Sequence, residues 1–195
     1  DFFNEANQKI DDEFKNFEYT PTQIYRRDST ILNCKRHKKV FNTYGTIPKF
    51  CFGCYKVQIE PEKILDLIKL YILFDKINLN NIRKCMIELR PNVSGKYKGL
   101  VYCDSVEEAE KIQEQLNKLI EKNFNKKLLS IIKRGCTEYG VKYPEYSKVD
   151  NNQMKHKSDW SKYEELIDEK FPNLAFNEKL RPTIKGISLH DILVI

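Results

Sequence analysis

The stretch that decides the architecture runs from Cys54-Tyr55-Lys56-Val57-Gln58-Ile59 to Ile131-Ile132-Lys133-Arg134-Gly135-Cys136. Tyr55 to Ile59 alternates apolar and polar side chains, the period of a half-buried strand. Pro61 stands where a first helical turn accepts proline. Ile64, Leu65, Ile68, Tyr71, Ile72 and Phe74 then recur at helical spacing. Asn78 to Asn81 breaks that helix. Cys85 to Arg90 reads as a second strand and Lys98 to Cys103 as a third, joined by the turn Pro91-Asn92-Val93-Ser94-Gly95. Ser105-Val106-Glu107-Glu108 is a capping box, and Val106, Ala109, Ile112, Leu116, Leu119 and Ile120 make one face of the helix it opens. Leu128 to Lys133 is the fourth strand.

Strand-helix-strand-strand-helix-strand with these connections predicts an α+β fold, a ferredoxin-like βαββαβ sandwich with an antiparallel four-stranded sheet in the order 4-1-3-2. Val57, Ile59, Ile87, Leu89, Val101 and Ile131 are expected on the face beneath the helices. Outward from this core (54–136), residues 1–53 read as an acidic arm, with a helical stretch near 4–17, and a Cys/His-containing basic loop over 34–53. Residues 137–195 read as a tyrosine-rich extended segment followed by C-terminal helices, one opening at Ser158 with Trp160, Tyr163, Leu166 and Ile167 inward and one at Ser188.

The chain has 195 residues, 41% of them hydrophobic and 32% charged. That is ample for a core and too polar for a membrane span, since no run of about 18 apolar residues occurs. It opens on Asp-Phe-Phe and closes in the apolar run 192–195, and reads as a piece of a longer chain. No secretory signal is visible, and the expected location is intracellular and cytoplasmic, with six cysteines (34, 51, 54, 85, 103 and 136) as reduced thiols or metal ligands rather than staples. The net charge is +6 and unevenly spread: residues 1–33 carry seven acids and four bases, residues 34–60 six bases and one acid.

The expected strand order brings the start of the first strand beside the ends of the third and fourth. Cys51, Cys54, Cys103 and Cys136 then meet at one edge, with Cys85 opposite Cys103 if the hairpin pairs Arg90 with Lys98. Three readings stand. Cys34-x-x-His37 followed by Cys51-x-x-Cys54 has the spacing of a tetrahedral zinc knuckle. Cys51, Cys54, Cys103 and Cys136 are an alternative set for a metal or an iron–sulfur cluster. In the third reading no metal binds, and the thiols are packing residues.

Lys96-Tyr97-Lys98-Gly99-Leu100-Val101-Tyr102-Cys103, followed by Glu107-Glu108-Ala109, resembles an RNA-recognition motif over about 80 residues. That family stacks bases on sheet aromatics; the corresponding positions here are Lys98 and Leu100, with Tyr102 the one ring. The anion-binding residues expected are Lys35, Arg36, Lys38 and Lys39 of the basic run and Lys56, Lys84, Arg90 and Lys98 of the open sheet face.

No phosphate-binding glycine loop, HExxH or nucleophile elbow occurs in the sequence. His156 and His190 read as surface residues. The one catalytic idea is a thiol, Cys136, activated by Lys133 and Arg134. The function expected is a metal-stapled binding module, with zinc as the metal and nucleic acid or another polyanion as the partner. The alternatives are a thiol-dependent or iron–sulfur enzyme domain, and a structural subunit docking a protein partner through its apolar C-terminal run.

Overall fold

The computed structural model describes residues 23–26, 32–88, 93–124, 128–150, 152–172 and 174. The expected helix at 4–17, Leu89, Arg90, His190 and the apolar run at the C-terminus lie outside the described residues.

The chain forms an α+β structure on one antiparallel sheet. Its strands are β1 (Gln23–Arg26), β2 (Tyr55–Glu60), β3 (Arg83–Ile87), β4 (Tyr97–Cys103) and β5 (Leu129–Arg134), in the order β1-β3-β4-β2-β5. Counted from the β1 edge, the four strands of the 54–136 unit run second, third, first, fourth; from the opposite edge, 4-1-3-2. The sheet has five strands where four were expected, because β1 pairs with β3, Gln23 opposite Met86 and Arg26 opposite Arg83. The arrangement is compatible with a ferredoxin-like sandwich.

One face is covered by two helices, α2 (Ile64–Lys76) and α3 (Val106–Asn123). Leu67, Leu70 and Phe74 of α2 and Ala109, Ile112, Leu116 and Ile120 of α3 repeat at three and four residues. They pack on Tyr55, Val57, Ile59, Cys85, Ile87, Val101 and Cys103. Each fully buried aliphatic side chain contributes about 1.5–3 kcal/mol by leaving water. Gly99 allows α2 to sit this close to β4: a Cβ there would lie 2.3 Å from Leu70 Cδ2. Arg83 closes the helix end, donating to the carbonyls of Phe74, Leu79 and Ile77 at 2.6, 2.7 and 3.1 Å. Ser105 Oγ accepts from the Glu108 N–H at 3.1 Å, as a capping box requires, while the Glu108 carboxylate accepts from the N–H of Asp104.

Three local expectations are corrected. Residues 34–44 are not loop but helix α1 (Cys34–Tyr44), whose His37, Val40, Phe41 and Tyr44 lie at helical spacing; counting His37 as solvated hid that stripe. The segment after β5 is not extended: it forms helix α4 (Thr137–Lys142) and a 3₁₀ turn over Pro144–Ser147. Pro61 precedes its helix rather than standing in it, since α2 begins at Ile64. Helix α5 (Ser161–Lys170) follows a 3₁₀ turn at Ser158–Trp160; Trp160 and Ile167 are buried, but Leu166 is exposed.

Two register expectations change as well. Val57 pairs with Ile132, so Ile132 joins the core, and Ile131, opposite Gln58, is exposed. Cys85 stands opposite Gly99 and Cys103 opposite Tyr55, which separates those two thiols along the sheet.

Candidate metal centre

The site lies where the start of β2 meets the ends of β4 and β5, Tyr55 standing opposite both Cys103 and Arg134. Three stretches of chain supply it. Lys49–Gly53 forms a 3₁₀ turn in which the Cys54 N–H donates to the Cys51 carbonyl, and this brings the two ends of Cys51-Phe52-Gly53-Cys54 together. Gly135 follows β5 with a φ of 52°, and its N–H donates to the Cys54 carbonyl at 2.8 Å, which sets Cys136 beside Cys54. Helix α1 brings Cys34 in its first turn and His37 one turn later.

Cys34, His37, Cys51, Cys54, Cys136 and Tyr139 line one small cavity, with Lys56 and Tyr102 on its sheet side. Its volume is about 20 Å³, room for a water-sized body, which needs about 10–15 Å³. Cys103 is not among its walls. It pairs with Tyr55 on the helix-covered face, whereas Cys34 and Cys54 pack against Leu32, Ile82, Met86, Leu100 and Tyr102 on the other. The four thiols brought together are therefore Cys34, Cys51, Cys54 and Cys136, a set that draws on both sequence alternatives and matches neither. Among the described residues, no three His, Cys, Asp or Glu side chains already stand arranged to hold a metal ion. Lining one cavity is a looser condition than pointing at one centre, and Cys51 instead donates its thiol to the Tyr139 hydroxyl at 3.7 Å.

The turn that carries Cys51 and Cys54 is held from behind by residues to which the sequence reading gave other roles. Arg134 is buried and donates from Nε and Nη2 to the Phe52 carbonyl at 3.1 and 2.8 Å, and from Nη1 to Met154 at 2.8 Å. Its guanidinium lies 5.1 Å from the Phe52 ring and 5.0 Å from that of Tyr146. Ile47, Cys51, Phe52, Tyr139, Tyr146 and Trp160 form a second core here. The clustering of Tyr139, Tyr143 and Tyr146 in the sequence was the available signal for it. His156, expected on the surface, packs edge-on to Phe52.

Burial, with Cys136 nearby, pushes the Cys51 thiol well up. Burial likewise pushes Cys54 up to about 12, against the pull of Lys56. These thiols are neutral without a cation among them. The expected activation of Cys136 is not supported by its neighbours: Lys133 Nζ donates to Thr137 Oγ1 at 2.7 Å and Arg134 to main-chain carbonyls. His37 is buried, stacked on Phe50 at a centroid distance of 5.0 Å, and held down to about 4 by burial and then Arg36.

The expected anion-binding groups divide. Lys35, Lys38 and Lys39 are exposed on α1. Arg36 is engaged: Nε and Nη2 form a fork on the Asp168 carboxylate at 2.6 and 2.7 Å, and Nη1 meets Glu164 at 2.8 Å. The sheet face, expected open, is buried at Lys56, Gln58, Lys84, Glu88 and Lys98. Lys98 pairs there with Glu88 at 3.3 Å. This corrects the reading of that face as solvent-exposed.

Comparison with family models, with curated protein sequences and with solved structures finds no match to this chain. Among the described residues, no helix is long and apolar enough to cross a membrane.

Proposed function

We propose that this chain is a metal-stapled binding module of ferredoxin-like type, with zinc held by Cys34, Cys51, Cys54 and Cys136. The observation that carries the reading is the meeting of four thiols, from three separate stretches of chain, on one cavity of about 20 Å³. Staggered χ1 wells give each thiol more than one direction to point, and four sulfur ligands suit zinc in a closed, structural site. A metal there ties α1, the knuckle and the end of β5 together, so its binding energy is folding energy. His37, stacked on Phe50, forms part of the wall.

The partner we propose is a polyanion, met through Lys35, Lys38 and Lys39. What supports this is their exposure on one helix, next to the knuckle that the metal would fix. The buried lysines of the sheet take no part in it.

Elemental analysis and an absorbance spectrum of the purified chain test the metal. One zinc per chain and a colourless solution support the reading. A brown chromophore with iron would replace zinc by a cluster, and no metal after exposure to zinc would refute it.

A further inference from the structure

We infer, resting on the polyanion reading, that Phe50 is a stacking platform for one base of a single-stranded nucleic acid whose phosphates meet the exposed lysines around it. Phe50 belongs to the 3₁₀ turn Lys49–Gly53. Cys51 and Phe52, the other large side chains that follow in that turn, are buried, whereas Phe50 is 46% exposed. A lone exposed apolar residue is ordinary, but this ring is held. His37, itself buried, stacks against it with ring centroids 5.0 Å apart and planes 19° from parallel. The turn is fastened on both sides of Phe50: the Lys49 N–H donates to the Glu164 carboxylate at 2.7 Å, and the Cys51 N–H donates to the Pro48 carbonyl at 3.0 Å. A flat apolar surface is thus offered to water in a fixed orientation, with a second ring behind it.

Cations flank this ring. Lys49 precedes it in the turn. Cys34, His37 and Phe50 share one cavity wall, which sets the first two turns of α1 beside Phe50. Lys38 stands one helical turn after Cys34, and Lys35 three residues before Lys38 on the same side of the helix. Lys35, Lys38 and Lys49 are all exposed. Among the described residues none of the three is in an ion pair. A row of lysines alone accepts any polyanion. An aromatic platform adds affinity only for a chain that carries bases, since every base has a π-face and stacks with little regard to sequence. A duplex keeps its bases stacked within itself, so the occupant is a single strand. The sheet offers no such platform, because Lys98 and Leu100, where stacking aromatics were looked for, are buried and are not rings.

The experiment measures affinity of the full chain for an oligothymidylate, an oligouridylate and an abasic deoxyribose-phosphate strand of the same length, with heparin as a further polyanion. Wild type, Phe50→Leu and Phe50→Trp are compared. Wild type should bind a base-bearing strand about 5–150-fold tighter than the abasic one, the range that loss of one stacked base spans. Tighter binding of either base-bearing strand supports the inference, and the preferred one names the sugar. Phe50→Leu should lower that affinity to the abasic level and leave abasic and heparin binding unchanged. Phe50→Trp should restore it, with a fluorescence quench on binding that wild type, which has Trp160 alone, lacks. Equal affinity of wild type for base-bearing and abasic strands overturns the inference and leaves the polyanion reading standing. An equal loss on every polyanion in Phe50→Leu overturns it too, since the turn and not the ring would be responsible. Wild-type protein that binds none of the four removes the polyanion reading itself. Should Phe50→Leu fail to fold, the comparison of base-bearing with abasic strands in wild type still decides, because it needs no variant.

Discussion

The Tyr146 hydroxyl donates to the main-chain carbonyl of Cys51 at 2.6 Å, across 95 positions of sequence. That bond fastens the turn carrying Cys51 and Cys54 to the segment after β5. Gly135 makes it possible, since a Cβ there would lie 1.8 Å from the Tyr146 oxygen and the backbone is left-handed at φ 52°. Gly135→Ala should therefore cost on the order of 2–4 kcal/mol, from backbone strain together with the displaced hydrogen bond. Tyr146→Phe, which removes the hydrogen bond alone, should cost about 1–2 kcal/mol. Urea unfolding of the metal-free variants measures both; a Gly135→Ala protein no less stable than Tyr146→Phe would contradict the account.

The register of β5 predicts opposite outcomes for two isoleucines. Ile59 is fully buried beneath the helices, while Ile131 is 37% exposed. Ile59→Ala should cost about 2–5 kcal/mol, as cavity-forming truncations do, and Ile131→Ala less than about 1 kcal/mol. Equal losses would return Ile131 to the core and move the register by one.

Arg36 makes stability depend on pH in a direction that can be worked out. The fork from Arg36 holds the Asp168 carboxyl below its ordinary value of 3.8. The folded state thus binds that proton less readily than the unfolded one, and the stabilisation is present above the ordinary value and lost as pH falls through it. His37 acts in the same sense. Its folded value of about 4 lies below the ordinary 6.5, so the unfolded chain takes up that proton first as pH drops. Because Arg36 contributes to both shifts, the advantage of wild type over Arg36→Met should shrink from about pH 7 to about pH 3. Urea midpoints of the metal-free proteins across that range give the difference directly. A gap that widens on acidification would contradict this reading of the α1–α5 contact.

Much of the fold was legible because its signals are local. The alternation in Tyr55–Ile59, the capping box at Ser105 and the helical repeat from Ala109 to Ile120 each fall within a single element. What was hidden depends on contacts between distant segments. Strand β1 exists by pairing with β3, which its four residues do not announce. Helix α1 was obscured by a histidine that is buried and stacked on Phe50 instead of solvated. The cysteine reading was half legible: Cys51-x-x-Cys54 and the approach of Cys136 follow from spacing and topology. That Cys103 faces the helices while Cys54 faces away is a matter of strand parity, and parity turns on a single residue. The burial of Lys56, Lys84 and Lys98 could not be read from alternation, which marks a second face as polar whether or not it meets water.

The proposed polyanion interaction predicts a salt dependence confined to one helix. Binding to a single-stranded RNA homopolymer should weaken with salt. Replacing Lys35, Lys38 and Lys39 by Gln should lower the slope by about 0.7 for each phosphate that these lysines neutralise. Filter binding over a salt series reads it. An unchanged slope would leave these lysines as solvated surface.

Cobalt titration of the full chain, followed by sulfur-to-metal charge-transfer absorption, tests the central claim most directly, with Cys34→Ser, Cys51→Ser, Cys54→Ser, Cys136→Ser and Cys103→Ser run beside wild type. Wild type should take up one cobalt per chain, displaced by zinc and colourless thereafter. Each of the first four variants should show reduced absorption and weaker binding, with Cys103→Ser titrating like wild type. Absence of charge-transfer absorption in wild type, or its loss in Cys103→Ser with retention in Cys136→Ser, would contradict the four-thiolate centre.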